Sequence, residues 1–400
     1  MSTLARLTCD GTAYAGISLA PSASGASVVV DLGETDMDSQ IDMQLFTIGA
    51  GGTGRVDMFR QLTAGFVTAD ASGVPNIFVD GSPAGWRLRE TADAWVREDL
   101  EPQPPGHSVT VESARVIDDA HGFATIVDGN TNDFWLASRD GGGWRFASID
   151  GVHPVSIGMD LGAEGRPWLA TIGSHEGFPS ADNLFLDVVA PDGSHETLRP
   201  YGGVVYAPTV LAGGLGGGEA WPVVAYQLFD GIHIATRSSA TGTWNDRLVP
   251  GSAAVSASTT DCPDSAGVQD DCTSASCSYH STGAGQGLGF VRSASGAIYL
   301  AWLDIDSTET FEQHPVGTAC ERGDFLMAKG TSALVVARLP ADPTQTLTTH
   351  RFTFEDTPDG RGTLGIAARG DTLLVAVQVG FYGAPWPLDI RYLEIDSTKL

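Results

Sequence analysis

Four aspartates, Asp31, Asp80, Asp128 and Asp304, each close an apolar run that follows a tight turn. Carboxylates gathered at one opening can chelate a divalent cation or divide the roles of acid and base between them. Of the nine histidines, His107, His153, His175, His280, His314 and His350 fall in segments that the same register sends to the same side. Imidazoles converging from separate segments would build a transition-metal or acid/base site. Tyr201 and Tyr206 in LRPYGGVVYAP, with Phe381, Tyr382 and Trp386 in VGFYGAPWPLD, add flat aromatic surface. Rings beside carboxylates suit a sugar, whose CH groups stack while its hydroxyls bond to acids. The expected assignment is His153, His175, Tyr201 and Asp128 for catalysis. Asp31, Asp80, Asp304, Tyr206, Tyr382 and Trp386 are expected to contact a ligand. His107, His175 and His314 are the candidates for a metal, with the cofactor open between calcium and a transition metal. Each residue also has an ordinary reading. Asp80-Gly81 and Asp128-Gly129 are common turn dipeptides, surface histidines collect in loops, and loop aromatics pinned by Gly and Pro serve as packing plugs.

These residues share one side only if a repeated unit carries them there. ISLAPSASGASVVVD, FVTADASGVPNIFVD, ARVIDDAHGFATIVD and FVRSASGAIYLAWLD are copies of one strand-turn-strand phrase, and looser copies begin at Val155, Pro208 and Leu364. Their spacing fits one four-stranded blade per copy, which predicts an all-β chain folded as a single β-propeller over residues 1–400. Units starting near Ile17, Phe66, Ala114, Val155, Pro208, Gly289 and Leu364 make seven blades, with six as the alternative count. The last unit is one strand short, so the segment LARLTCDGTAYA near the start is expected to supply the closing strand. Asp31, Asp80, Asp128 and Asp304 then sit at second-strand exits, on the face that also carries the links between blades.

Composition narrows the partners. Asp and Glu number 49 against 22 Lys and Arg, a formal net charge of −27, which disfavours nucleic acid. No apolar stretch is long enough to span a membrane. The acidic runs GETDMDSQID and LDIDSTET alternate oxygen donors without completing a calcium loop. No Gly-x-Ser-x-Gly elbow, phosphate-binding loop or dinucleotide fingerprint is present. Cys262, Cys272, Cys277 and Cys320 cluster in and after a long Ser- and Asp-rich loop at 250–286, inserted between blades, and Cys9 stands apart. Two disulfides, with Cys9 free, are the reading of that cluster, because its spacing lacks the Cys-x2-Cys hooks of structural zinc sites. Bridges imply an oxidising compartment, so the chain is read as extracellular or attached to the cell surface, with its signal segment removed.

SRDGGGW (Ser138 to Trp144) and SSATGTW (Ser238 to Trp244) resemble the Asp-box hairpin of sialidase-like (BNR-repeat) propellers, with Thr241 at the Asp position of the second. The resemblance implies the fold and places both boxes on turns between third and fourth strands, away from the active face. Two functions remain open. One is a monomeric extracellular propeller that binds a glycan or a protein on the face of second-strand exits and blade links. The other is a polysaccharide-directed hydrolase or lyase with a His/Asp/Tyr site on that face, metal-dependent or not.

Overall fold

The computed structural model describes residues 3–8, 17–32, 42–49, 52–59, 62, 65–100, 108–176, 179–201, 208–215, 221–252, 259–260, 276–316, 319–340, 345, 347–354, 364–379 and 389–400, apart from 24, 82, 83, 93, 181, 182, 229, 238, 240 and 241. Seven antiparallel sheets, six of them built from consecutive strands, stand in a ring. After β1 (Thr3–Thr8), blade one is β2 (Ile17–Pro21), β3 (Ala26–Leu32), β4 (Asp42–Gly49) and β5 (Gly52–Phe59). Blade two is β6 (Gly65–Ala69), β7 (Pro75–Val79), β8 (Gly85–Glu90) and β9 (Trp95–Leu100). Blade three is β10 (Val109–Val116), β11 (His121–Asp128), β12 (Phe134–Asp140) and β13 (Trp144–Ser148). Blade four is β14 (His153–Leu161), β15 (Pro167–Ser174), β16 (Leu184–Val189) and β17 (His195–Tyr201). Blade five is β18 (Thr209–Leu211), β19 (Val223–Leu228), β20 (Gly231–Thr236) and β21 (Asn245–Leu248). Blade six holds β22 (Thr259–Thr260), β23 (Ser276–Arg292), β24 (Ile298–Val316), β25 (Ala319–Leu339) and β26 (Thr348–Phe354). Blade seven is β27 (Leu364–Arg369), β28 (Thr372–Val379) and β29 (Asp389–Asp396), closed by β1 in the order β1-β29-β28-β27.

The first strand of each blade touches the first strand of the next around the whole ring. The second strands explain why the blades stack. Runs such as Pro75–Val79 and Ile126–Asp128 are buried on both faces, because each faces a neighbouring blade on either side. At the first-strand exits the axis opens into a cavity of about 660 Å³, lined by residues of all seven blades and carrying Arg115, Asp160 and Arg292.

The seven-bladed count and the closing N-terminal strand agree with the repeat reading, and two unit boundaries move. Blade three begins at Val109 rather than near Ala114, because β10 pairs with β11 from Val109 opposite Asp128 onward, with one extra residue, Glu112, bulged between Val111 and Ser113. In blade six, β23 begins at Ser276 rather than near Gly289, because β23, β24 and β25 continue past the blade as an arm. Residues 276–286, read from the sequence as the end of a loop, are strand within that arm. From Asp304 to Val316 the arm reaches roughly 40 Å at the usual rise per residue. Cys277, toward the outer end of the arm and opposite Phe311, is buried and disulfide-bonded. Cys9, Cys262 and Cys272 lie outside the described residues, as does the Cys320 side chain.

Both Asp-box hairpins fall between third and fourth strands, at β12–β13 and β20–β21. Trp144 packs edge-on against Phe78 of blade two at 6.2 Å, and Trp244 lies under the Arg237 guanidinium at 4.8 Å. Asp140 of the first box is an exposed residue 3.5 Å from His121 Nε2.

Because β1 joins the two ends of the chain in one sheet, its loss would remove that closure and leave the edge of β29 unpaired. Removing residues 1–15 is expected to lower the melting temperature by many degrees. An unchanged melt would show that the strand is an ornament of the ring. Thiol titration under denaturing, non-reducing conditions is expected to find one free cysteine out of five. Five reactive groups would remove the bridges from the account.

Candidate functional site

Blades two and three are stitched together at the second-strand exit. Gly81, just past β7, exchanges two backbone hydrogen bonds with Val109 of β10, at 3.0 and 2.8 Å. A side chain at Gly81 would bring its Cβ to 2.0 Å from the Ala84 carbonyl oxygen, so only glycine fits the turn. That stitch fixes Asp80, whose Oδ1 accepts the Val111 N–H at 2.7 Å. One residue further along β10 is Glu112, at the bulge where Val111 opposes Ile126 and Ser113 opposes Thr125. A bulge turns its extra side chain out of the pleat, here into the neighbourhood of Asp80. Both carboxylates are partly exposed, and no described residue hydrogen-bonds to Glu112.

Burial pushes the Asp80 carboxyl up to about 6, against the opposing pull of the Val111 N–H. Burial first, and then the charge on Asp80, push Glu112 up to about 7. Two nearby carboxylates that resist ionising together titrate as a pair, so near neutrality one holds a proton while the other is charged. This arrangement can donate and accept protons across a bound substrate.

Blade four holds a second titratable group. His175 follows β15, and its Nε2 lies 2.8 Å from Oδ2 of Asp187, a fully buried residue on β16. Its ring stacks on Phe185 at 4.2 Å and lies 5.8 Å from the ring of His195. A buried carboxylate at one ring nitrogen sets the tautomer and orientation of the imidazole and leaves the other nitrogen for solvent or ligand.

The remaining expected residues divide three ways. Asp128 is occupied by its own turn: Oδ1 accepts the N–H groups of Asn130 at 2.6 Å and Thr131 at 3.0 Å. That turn holds Asn132 at φ 57°, and the Asn132 carbonyl meets His153 Nδ1 at 3.1 Å, tying blade three to the first residue of β14. Asp304 is not at a strand end, because β24 runs on into the arm, and its carboxylate is ion-paired with Arg351. His280 and His314 sit on strands of the arm rather than in loops, and His350 stands inside β26, opposite Val336. His280 Nδ1 meets Thr308 Oγ1 at 2.9 Å. His107, Tyr206, Tyr382 and Trp386 lie outside the described residues. So do the side chains of Asp31, Tyr201 and His314, whose backbones lie on β3, β17 and β24. Among the described residues no three His, Cys, Asp or Glu side chains converge as metal ligands.

Glu112 and Asp187 escaped the sequence reading, although each left a signal. Each is a single acid inside an apolar strand phrase, VTVESARV and LFLDVV. A charge at such a position is unexpected unless the fold uses it.

No family model matches the chain, and no curated protein matches it. Solved structures of similar course include a subtype N10 neuraminidase-like protein of a little yellow-shouldered bat influenza A virus, at 7% identity over 98% of this chain and 100% of that one, TM-score 0.39. A GH43_1 enzyme from Xanthomonas citri is 10% identical over 97% of this chain and 89% of that one, TM-score 0.35. The NanB sialidase from Streptococcus pneumoniae is 9% identical over 100% of this chain and 70% of its own, TM-score 0.28. The propeller fold of this chain is read from its own seven sheets.

The raised carboxyls make stability fall as pH rises. Asp80 and Glu112 bind protons more tightly in the folded chain than at the ordinary values of 3.8 and 4.5. The unfolded chain therefore ionises first, and stability declines from roughly pH 4 to pH 7. Replacing Glu112 by Gln should raise stability at pH 7.5 by on the order of 2 kcal/mol and flatten this slope. Chemical denaturation at pH 4.5 and 7.5 measures both. A variant that is destabilised at pH 7.5 would contradict the assignment.

Proposed function

We propose that the protein acts on a glycan at the face of second-strand exits and blade links, as a polysaccharide-directed hydrolase or lyase. The observation that carries this reading is the Asp80–Glu112 pair, two hindered carboxyls from adjacent blades whose proton affinities straddle the range between about 6 and 7. Cleavage of a glycosidic bond asks for this equipment: one protonated carboxyl to protonate the leaving oxygen and one carboxylate to act on the opposite side. Glu112, with the higher affinity, is the acid, and Asp80, held by the Val111 N–H, is the base or nucleophile. In a lyase the same face would take a proton from carbon instead, and His175, steadied by Asp187, is the group suited to that step.

A second reading, binding without turnover, is favoured by the carboxylates already spent on structure. Asp128 and Asp304 are held by turn N–H groups and by Arg351, as in a rigid recognition surface. An extracellular location fits both readings, and the Cys277 bridge supports it.

Incubation with a panel of neutral and acidic polysaccharides, followed by reducing-end and ultraviolet assays, distinguishes the cases. New reducing ends without an unsaturated product indicate hydrolysis, and an unsaturated product indicates a lyase. Glu112→Gln and Asp80→Asn should each lower hydrolysis by about 100-fold or more while the substrate still binds. His175→Ala should do so for a lyase. Retained polysaccharide binding with no product, or variants as active as the parent, would leave the binding reading in its place.

A further inference from the structure

A separate recess lies on the rim, between the outermost strands of blades four and five. A groove of about 430 Å³ there is lined by Leu198, Arg199 and Pro200 of β17 and by Trp244 and Asp246 beside and on β21. That volume is within the range of small-molecule sites, roughly 300–1,000 Å³. Its polar groups are fixed from beneath. Arg199 Nη1 reaches across the blades to Asp246 Oδ2 at 3.0 Å and to the Tyr226 hydroxyl at 3.4 Å, and His233 Nδ1 lies 3.1 Å from Asp246 Oδ1. Tyr226 and His233 are buried and stacked on each other at 5.5 Å, so the Arg199–Asp246 pair is set before anything binds. The aromatic wall is set as well. Arg237 lies over Trp244 and bonds to Glu196 of blade four at 2.8 Å.

Part of this equipment is unused. Arg199 is about one-third exposed, and its Nε and Nη2 donate to no described residue. A guanidinium edge and a carboxylate side by side, above an apolar floor with an indole, match adjacent sugar hydroxyls that accept from one and donate to the other. Charge decides between a neutral and an acidic sugar. Asp246 offsets the Arg199 charge at 3.0 Å, and the chain as a whole carries −27, so an anionic unit would meet repulsion without a compensating cation.

We infer that the groove between β17 and β21 is a binding subsite for one neutral pyranose unit, with Arg199 and Asp246 holding its hydroxyls and the exposed side of Trp244, with Leu198, bounding its apolar CH groups. The ligand class rests on the glycan reading above. The position is separate from the Asp80–Glu112 pair, and so is its test. It would hold a second stretch of a polymer, or a second chain, while the face of second-strand exits is engaged.

Fluorine NMR of protein labelled with 5-fluorotryptophan reads the groove directly, with the Trp244 signal assigned by its loss in Trp244→Phe. Methyl glycosides of glucose, galactose, mannose and xylose are titrated in turn, with methyl glucuronoside as the charged comparison. At least one neutral glycoside should shift the Trp244 signal saturably. Arg199→Met, which keeps the aliphatic stem, should weaken that binding at least tenfold, and Glu112→Gln should leave it unchanged. A Trp244 signal that no neutral glycoside moves would overturn the inference. So would equal or tighter binding of the glucuronoside, or full binding in a folded Arg199→Met variant. Loss of binding in Glu112→Gln would place the ligand at the Asp80–Glu112 junction instead. Turnover in the polysaccharide assay is read separately, so either site can fail alone.

Discussion

A blade of four strands has two faces, and in this chain both are apolar along the second strand. Val28, Val29 and Val30 of β3 and Leu373 to Val377 of β28 are buried on alternate sides of their sheets, which only a neighbour on each side can achieve. Seven sheets satisfy that demand by closing into a ring. The first and last blades meet when β1 pairs with β29, so the Tyr392 and Ile390 side chains join Leu19, Val28 and Phe46 in one cluster. The same closure fixes the central axis, the two faces and the spacing of every group around them.

The candidate site inherits its geometry from this packing. Asp80 belongs to blade two and Glu112 to blade three, and the backbone bonds between Gly81 and Val109 bring them together. Their raised proton affinities come from burial at the junction and, for Glu112, from Asp80 itself, so the electrostatics is a product of how two blades abut. A junction of this kind lowers stability at neutral pH. Its retention is consistent with the general conflict between a poised site and a relaxed fold.

Other junctions are built for stability. Arg87, fully buried, donates to the buried Asn76 at 2.9 and 2.7 Å and to Glu98 at 3.1 Å, while Arg139 of blade three bonds to the same Glu98 at 3.1 Å. Every group in that cluster has a partner of opposite character, which is what a buried charge requires. The rim groove between blades four and five differs: its buried Tyr226 and His233 support an ion pair that still presents donors outward.

Architecture was legible in the sequence because a repeat is a one-dimensional signal. The phrase ending at Asp31, Asp80, Asp128 and Asp304 recurs with the chain, the alternation of apolar and polar residues gives strands, and the short last unit gives the closing strand at the start. Candidate chemistry was legible only in part. Asp80 and His175 were found from their register, but their partners Glu112 and Asp187 lie 32 and 12 residues further on, in strands whose apolar pattern concealed them. Asp128 and Asp304 share a place in the repeat with Asp80, yet a local turn claims one and Arg351 claims the other. A repeat unit dictates which face a residue reaches, because strand direction follows from local pairing. What that residue does there depends on the side chains that neighbouring blades bring within a few ångströms, and only the closed ring decides that.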